Sequence, residues 1–95
     1  MRLTPEERHA VRTTFEQVFG GGEIYLFGSR VDDQRRGGDI DLYLLPKTSR
    51  DLMKKKIEFL VLLKAKIGQQ KIDVVLPSRY ERPIDRIARA EGIRL

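Results

Sequence analysis

Two short apolar segments of this chain carry carboxylates where a buried strand has no use for them, and this constrains the fold more than any other feature. Asp39 and Asp41 lie in Gly-Gly-Asp-Ile-Asp-Leu-Tyr-Leu-Leu, and Asp73 interrupts Ile72-Asp73-Val74-Val75-Leu76. In a strand, residues i and i+2 share a face about 7 Å apart, and a neighbouring strand brings a third side chain to about 5 Å. At about 5 Å and an effective dielectric of about 20, each like-charge pair costs on the order of 3 kcal/mol. A fold that gathers these segments needs something cationic to offset that repulsion. Hard oxygen donors without histidine or cysteine suit Mg²⁺ or Mn²⁺, ions that bridge to the phosphates of a nucleotide.

The remaining pattern says how the segments are gathered. Thr4-Pro5-Glu6-Glu7 is a helix start, with Thr4 as cap, Pro5 in the first turn and Glu7 closing a capping box. A helix is predicted over residues 5–19, with Val11, Phe15, Val18 and Phe19 at helical spacing and Gly20-Gly21-Gly22 as its stop. Strands follow at 23–27 and 39–45, separated by a polar loop over 30–38 and ended by Gly28-Ser29 and Pro46. A second helix is expected over 50–67, capped by Thr48 or Ser49 and closed by Gly68, then a strand over 71–76. A short last helix begins near Pro83, carries Ile84, Ile87 and Ala88 on one face, and stops near Gly92.

The order α-β-loop-β-α-β-α predicts an α/β (α+β) fold, a small three-stranded mixed sheet backed by helices, in one domain over residues 1–95. The second and third strands are joined through a helix and should run parallel, which would align Asp73 with Asp39 and Asp41.

Composition removes several classes of chemistry. Without cysteine the chain has no disulfide framework, no thiolate nucleophile and no Cys-based metal site, which fits a reducing cytoplasm. The longest apolar run, 59–63, is too short to span a bilayer, and the first residues lack the apolar core of a signal peptide, so no membrane role is expected. Nineteen Lys and Arg against 14 Asp and Glu give a net charge of +5. That favours an anionic partner, a nucleotide, nucleic acid or acidic protein, or else describes an ordinary solvated surface; few aromatics are present to stack on bases. His9, the sole histidine, reads as a surface helix residue.

Gly28-Ser29 directly follows a strand, where a tight turn exposes N–H groups and a hydroxyl to an anion and glycine permits close approach. Ser29 could donate to a phosphate and Arg30 could add charge, while Gly37 and Gly38 would let a ligand pass close to the backbone before Asp39. Taken alone, Gly28-Ser29 reads as a plain connection and Gly37-Gly38 reads equally as a simple turn; the Asp-x-Asp one strand later is what gives them weight. Asp39 and Asp41 alone could be the solvent face of an amphipathic strand, but that leaves Asp73 unexplained.

Phe27-Gly28-Ser29-Arg30 with Gly38-Asp39-Ile40-Asp41-Leu42 and a later isolated Asp resembles the nucleotidyltransferase superfamily that includes DNA polymerase beta, specifically its minimal (MNT) members, over about residues 4–92. The resemblance implies that Asp39 and Asp41 ligate two divalent metals, with Asp73 as the third carboxylate helping to deprotonate the attacking hydroxyl. It also implies that Gly28 and Ser29 hold the triphosphate of ATP or another NTP. Two metals can acidify an acceptor hydroxyl, align it with the α-phosphate and neutralise departing pyrophosphate.

No acceptor-binding domain is evident, so the acceptor should come on a partner. The second helix bears on this: Leu52, Met53, Ile57, Leu60, Val61 and Ile67 can form a core stripe, leaving Phe59, Leu62 and Leu63 partly off it. Either these three dock a protein or the C-terminal segment 84–95 covers them. Minimal nucleotidyltransferases commonly pair with a helical HEPN protein, often an RNA-cutting toxin, and in several cases inactivate it by adding AMP to a tyrosine. The expectation is therefore AMP transfer from ATP to a HEPN-type toxin in a homo- or hetero-oligomer, the chain acting as antitoxin. The alternatives are a non-catalytic antitoxin that neutralises by binding, and a nucleotide or nucleic-acid binding module.

Overall fold

A computed structural model of the chain describes residues 3–28 and 39–95. Helix α1, Pro5–Phe19, begins as the local sequence requires. Thr4 Oγ1 accepts from Glu7 N at 3.0 Å and Glu7 Oε1 accepts from Thr4 N at 2.9 Å, so two otherwise orphaned donors are satisfied. Gly20 ends it in the left-handed region at φ 79°, with its N–H donated to Glu16 O.

Strand β1 is Gly22–Phe27, β2 is Ile40–Pro46 and β3 is Ile72–Val75; α2, Leu52–Ile67, joins the last two. β1 pairs antiparallel with β2, and β2 pairs parallel with β3, as expected for strands linked through a helix. Helix α3, Pro83–Glu91, follows β3. The expected three-stranded sheet is a four-stranded one, in the order β3-β2-β1-β4, because Ile93–Arg94 adds β4 antiparallel to β1. Two residues are too few to show alternation. A Cβ at Gly92 would collide with Ala88 O of the helix and come within 3.1 Å of Leu26 O, so the glycine that reads as a helix stop also sits where the chain turns tightly from α3 to the sheet edge.

The core lies between one sheet face and the helices α1 and α2. Val11, Phe15 and Phe19 of α1 and Phe59 and Leu63 of α2 meet Ile24, Leu26, Ile40, Leu42, Leu44, Ile72 and Val74 of the sheet. Full burial of each large side chain contributes roughly 1.5–3 kcal/mol.

Helix α2 departs from expectation in which face it buries. Phe59 and Leu63 are fully buried, with the Phe59 ring 6.1 Å from that of Phe19, whereas Met53, Ile57 and Val61 of the expected core stripe are exposed. Phe59 and Leu63 thus belong to the core and are not a docking surface, and Leu95 of the C-terminal segment packs against the same core. α1 and the sheet cover them, and Leu62 is half-buried. The helix is apolar on most sides, so the choice fell to the partner: the face that puts Phe59 onto the α1 aromatics wins. Its N-cap is Asp51, left-handed at φ 51° and without a side-chain cap bond; Thr48 instead accepts from Arg50 N at 3.2 Å. On α3 the buried residues are Asp85 and Ala88, while Ile87 is exposed.

Candidate active site

The sheet face opposite the core carries the odd-numbered residues of β1, β2 and β3, and the register sets them in rows. Phe27, Asp41 and Asp73 are paired across β1, β2 and β3, and Tyr25, Tyr43 and Val75 form the next row. The two aspartates that interrupt apolar strands therefore stand side by side, because a parallel register of Ile40 with Ile72 carries Asp41 onto Asp73. Asp41 is half-buried and Asp73 exposed.

Asp41 has its carboxyl pushed above the ordinary aspartate range. Burial is the main cause, followed by the charges of Asp73 and Asp39 and a hydrogen bond with Asp73. The third carboxylate takes a different position. Asp39 precedes β2, next to the point where Ile40 N donates to Lys71 O at 3.0 Å, and its Oδ2 lies 3.3 Å from Lys71 Nζ. Bonding to Asp39 and the nearby charges of Asp73 and Asp41 raise the Lys71 ammonium above its usual value. Sequence reasoning missed Lys71. The register would have revealed it, since Lys71 precedes Ile72 as Asp39 precedes Ile40.

Gly28 ends β1 against this row. It sits at φ +79°, and a Cβ there would collide with Asp41 Oδ2, so the position needs glycine both for its backbone and for the carboxylate packed on it. Ser29, Arg30 and Gly38, together with Arg35, Arg36 and Gly37, lie outside the described residues.

A second acidic group occupies the same sheet face beneath α3. Asp85 is buried and fully partnered: Tyr43 Oη donates to its Oδ1 at 2.6 Å, Arg82 N to its Oδ2 at 2.6 Å, and the Arg82 guanidinium to both oxygens at 3.0 and 3.1 Å. Arg82 is itself fixed by donating to Leu76 O at 2.6 Å. These bonds, the guanidinium first, hold the Asp85 carboxyl well below the usual range, and burial with the Asp85 bond pushes the Tyr43 hydroxyl up to about 12. The Pro83 start and first-turn Asp85 were visible locally as a helix N-terminus; the contact with Tyr43 had no sequence signal.

Among the described residues no group of three or more His, Cys, Asp or Glu side chains converges into a metal-holding cluster. Asp41 and Asp73 form a pair, with Asp39 drawn to Lys71. The chemistry of the pair, oxygen donors only and mutually repelling, fits a hard divalent cation. No helix among them is long and apolar enough to cross a membrane. No protein-family model matches the chain, and no curated protein sequence matches it significantly.

Proposed function

We propose that the chain is a minimal nucleotidyltransferase, a Mg²⁺-dependent domain of the nucleotidyltransferase fold that transfers AMP from ATP to a tyrosine hydroxyl of a HEPN-type toxin in the cytoplasm and so acts as its antitoxin. The observation that carries this reading is the juxtaposition of Asp41 with Asp73 on parallel strands, with the Gly28 turn packed against the Asp41 carboxylate. A structural carboxylate would be partnered, as Asp85 is; Asp41 instead has a raised affinity for a proton, through its burial first and then through the charges of Asp73 and Asp39.

Asp39, Asp41 and Asp73 would hold the metal, Mg²⁺ or Mn²⁺, which when bound supplies charge to acidify the acceptor hydroxyl and neutralise the triphosphate. The residues of the chain do the rest. The turn at Gly28-Ser29, with Arg30 and Gly38, would bind the phosphates through backbone N–H groups, the Ser29 hydroxyl and charge. Asp73, exposed beside Asp41, would accept the hydroxyl proton as the acceptor oxygen bonds to the α-phosphorus and pyrophosphate departs. Lys71 would neutralise Asp39 until the ligand set is filled.

A second reading, an antitoxin that neutralises by binding alone, is favoured by the Lys71–Asp39 ion pair, which occupies one of the three carboxylates. One experiment separates the two. The chain and its HEPN partner are incubated with each NTP and Mg²⁺, and both are weighed by mass spectrometry while toxicity rescue is scored in cells. Addition of one or more AMP groups to the partner, lost in Asp41→Asn together with rescue, is the expected result. Rescue by Asp41→Asn at ordinary expression overturns the enzymatic reading.

A further inference from the structure

Strand β3 forms one edge of the sheet, with β2 on its inner side and no strand among the described residues on its outer side. In a parallel ladder alternate residues of a strand bond to the neighbour, and the residues between them point their backbone groups the other way. Ile40 N donates to Lys71 O, so the backbone groups of Lys71, Asp73 and Val75 face β2, while Ile72 and Val74 turn their N–H and C=O groups to the open edge. Their side chains are in the core, and among the described residues those backbone groups have no partner. Leu76 O, next in the same row, accepts from the Arg82 guanidinium at 2.6 Å, which closes the edge at that end. An open edge is a template for a further strand unless proline or charge prevents it.

The charges on this edge choose the strand that fits it. Lys71 and Asp73 are exposed and opposite in sign, one on each side of Ile72. Both stand on the outer sheet face, Lys71 with its Nζ at Asp39 Oδ2 and Asp73 beside Asp41. An antiparallel copy centred on Ile72 sets Lys71 of each copy opposite Asp73 of the other, so one two-fold contact makes two opposite-charge pairs. In the same register Ile72 exchanges N–H and C=O bonds with Ile72 of the second copy. Centring on Asp73 would set that carboxylate against itself, and centring on Val74 would set Lys71 opposite Pro77 and Asp73 opposite Val75, with no charge met. The two charges that guard the edge against unlike strands therefore select a copy of this one.

We infer that the outer edge of β3 is a self-association surface: two copies of the chain join antiparallel about Ile72, with Lys71 of each opposite Asp73 of the other, and their four-stranded sheets become one of eight strands. The contact completes a row on the outer face, since Asp41 lies beside Asp73 and Asp39 beside Lys71. Lys71 of the second copy thereby adjoins the Asp41–Asp73 pair and brings a cation to it from outside the chain. Few residues pair, so the association is weak and follows concentration, and the exposed ion pairs fix the register more than they add strength. The inference stands apart from the transferase reading: it needs the open edge and its two charges, whatever the carboxylates bind.

The test is sedimentation equilibrium of the full chain in EDTA over a concentration series, where the mass should rise from 11.0 kDa to twice that value. Lys71→Asp and Asp73→Lys should each weaken self-association by about tenfold or more, because each sets like charges opposite one another twice. Mixed in equal amounts, the two variants should pair with each other, since every cross-strand contact then joins a lysine to an aspartate. The double variant carrying both changes should associate with itself again. Lys71→Asp also faces Asp39, so a second measurement needs no variant: in the isotope-labelled parent, amide exchange at Ile72 should slow as concentration rises, while Asp73, whose N–H is held by β2, should change little. A monomer throughout the series, exchange at Ile72 that ignores concentration, a dimer that survives both single variants, or folded single variants that fail to pair when mixed each overturns the proposal.

Discussion

Asp41 and Asp85 approach one sheet face from different elements, and their surroundings are opposite. Asp85 is buried under α3 with donors on both oxygens, and its carboxyl is held well below the usual range. Asp41, two residues along β2 from the tyrosine that binds Asp85, is pushed up by its burial first and then by the carboxylates beside it. Burial alone does not make a carboxylate structural or functional. A carboxylate whose lone pairs are met by a guanidinium, a hydroxyl and a backbone N–H consolidates the fold; one facing its own kind is held there by the surrounding strands at a cost and is poised for a cation.

The widest separation between the two should appear in activity. Asp41→Asn should reduce AMP transfer by about 100-fold or more, the scale of removing one element of transition-state electrostatics, as followed by radiolabelled ATP. It should also abolish the stabilisation by Mg²⁺ read as a rise in melting temperature, a stabilisation that for the parent at ten times its Kd is about 1.4 kcal/mol. An Asp41→Asn protein that transfers AMP at the parental rate would place Asp41 with Asp85 as a structural acid.

Stability should separate them in the other direction. Asp85→Asn removes the charge that Arg82 and Tyr43 are built around and should lower the melting temperature by roughly 10 °C or more in calorimetry. Gly28→Ala comes next: the left-handed backbone costs about 1–2 kcal/mol for a residue with a Cβ, and the methyl must displace Asp41, so stability and Mg²⁺ response should fall together. A fall in stability with the Mg²⁺ response intact would separate the turn from the carboxylates.

The pH dependence sharpens the same contrast. With its folded pKa lowered, Asp85 stabilises above the ordinary carboxyl pKa, and that contribution is lost as pH falls towards the depressed value. With its folded pKa raised from 10.0 to about 12, Tyr43 contributes fully below pH 10.0 and loses that contribution as pH climbs through about 12. Urea melts of Tyr43→Phe should therefore lose the alkaline part of the parental decline.

The smallest effect is the most diagnostic. In EDTA at pH 7, Asp41→Asn should melt slightly above the parent, because a raised folded pKa makes the ionised form a net cost. A lower melting temperature would show that Asp41 supports the fold.

Local rules made α1 legible to its ends, since Thr4, Pro5, Glu7 and Gly20 act over three or four residues and need nothing else from the molecule. They also placed β1, β2 and β3 to within a residue or two and singled out Asp41 and Asp73, because a charge inside an apolar alternation is visible in the chain itself. Tertiary structure alone decided the rest. Which side of α2 is buried depended on where the α1 aromatics stood, as Phe59 and Leu63 compete with Met53, Ile57 and Val61 on hydrophobicity almost evenly. The Lys71–Asp39 pair, the Tyr43–Asp85 bond and the two-residue β4 join residues far apart in sequence. Periodicity and capping report what a residue does to its own turn or strand, whereas a partner across the fold is fixed by register and packing, quantities that exist only once the chain has closed on itself.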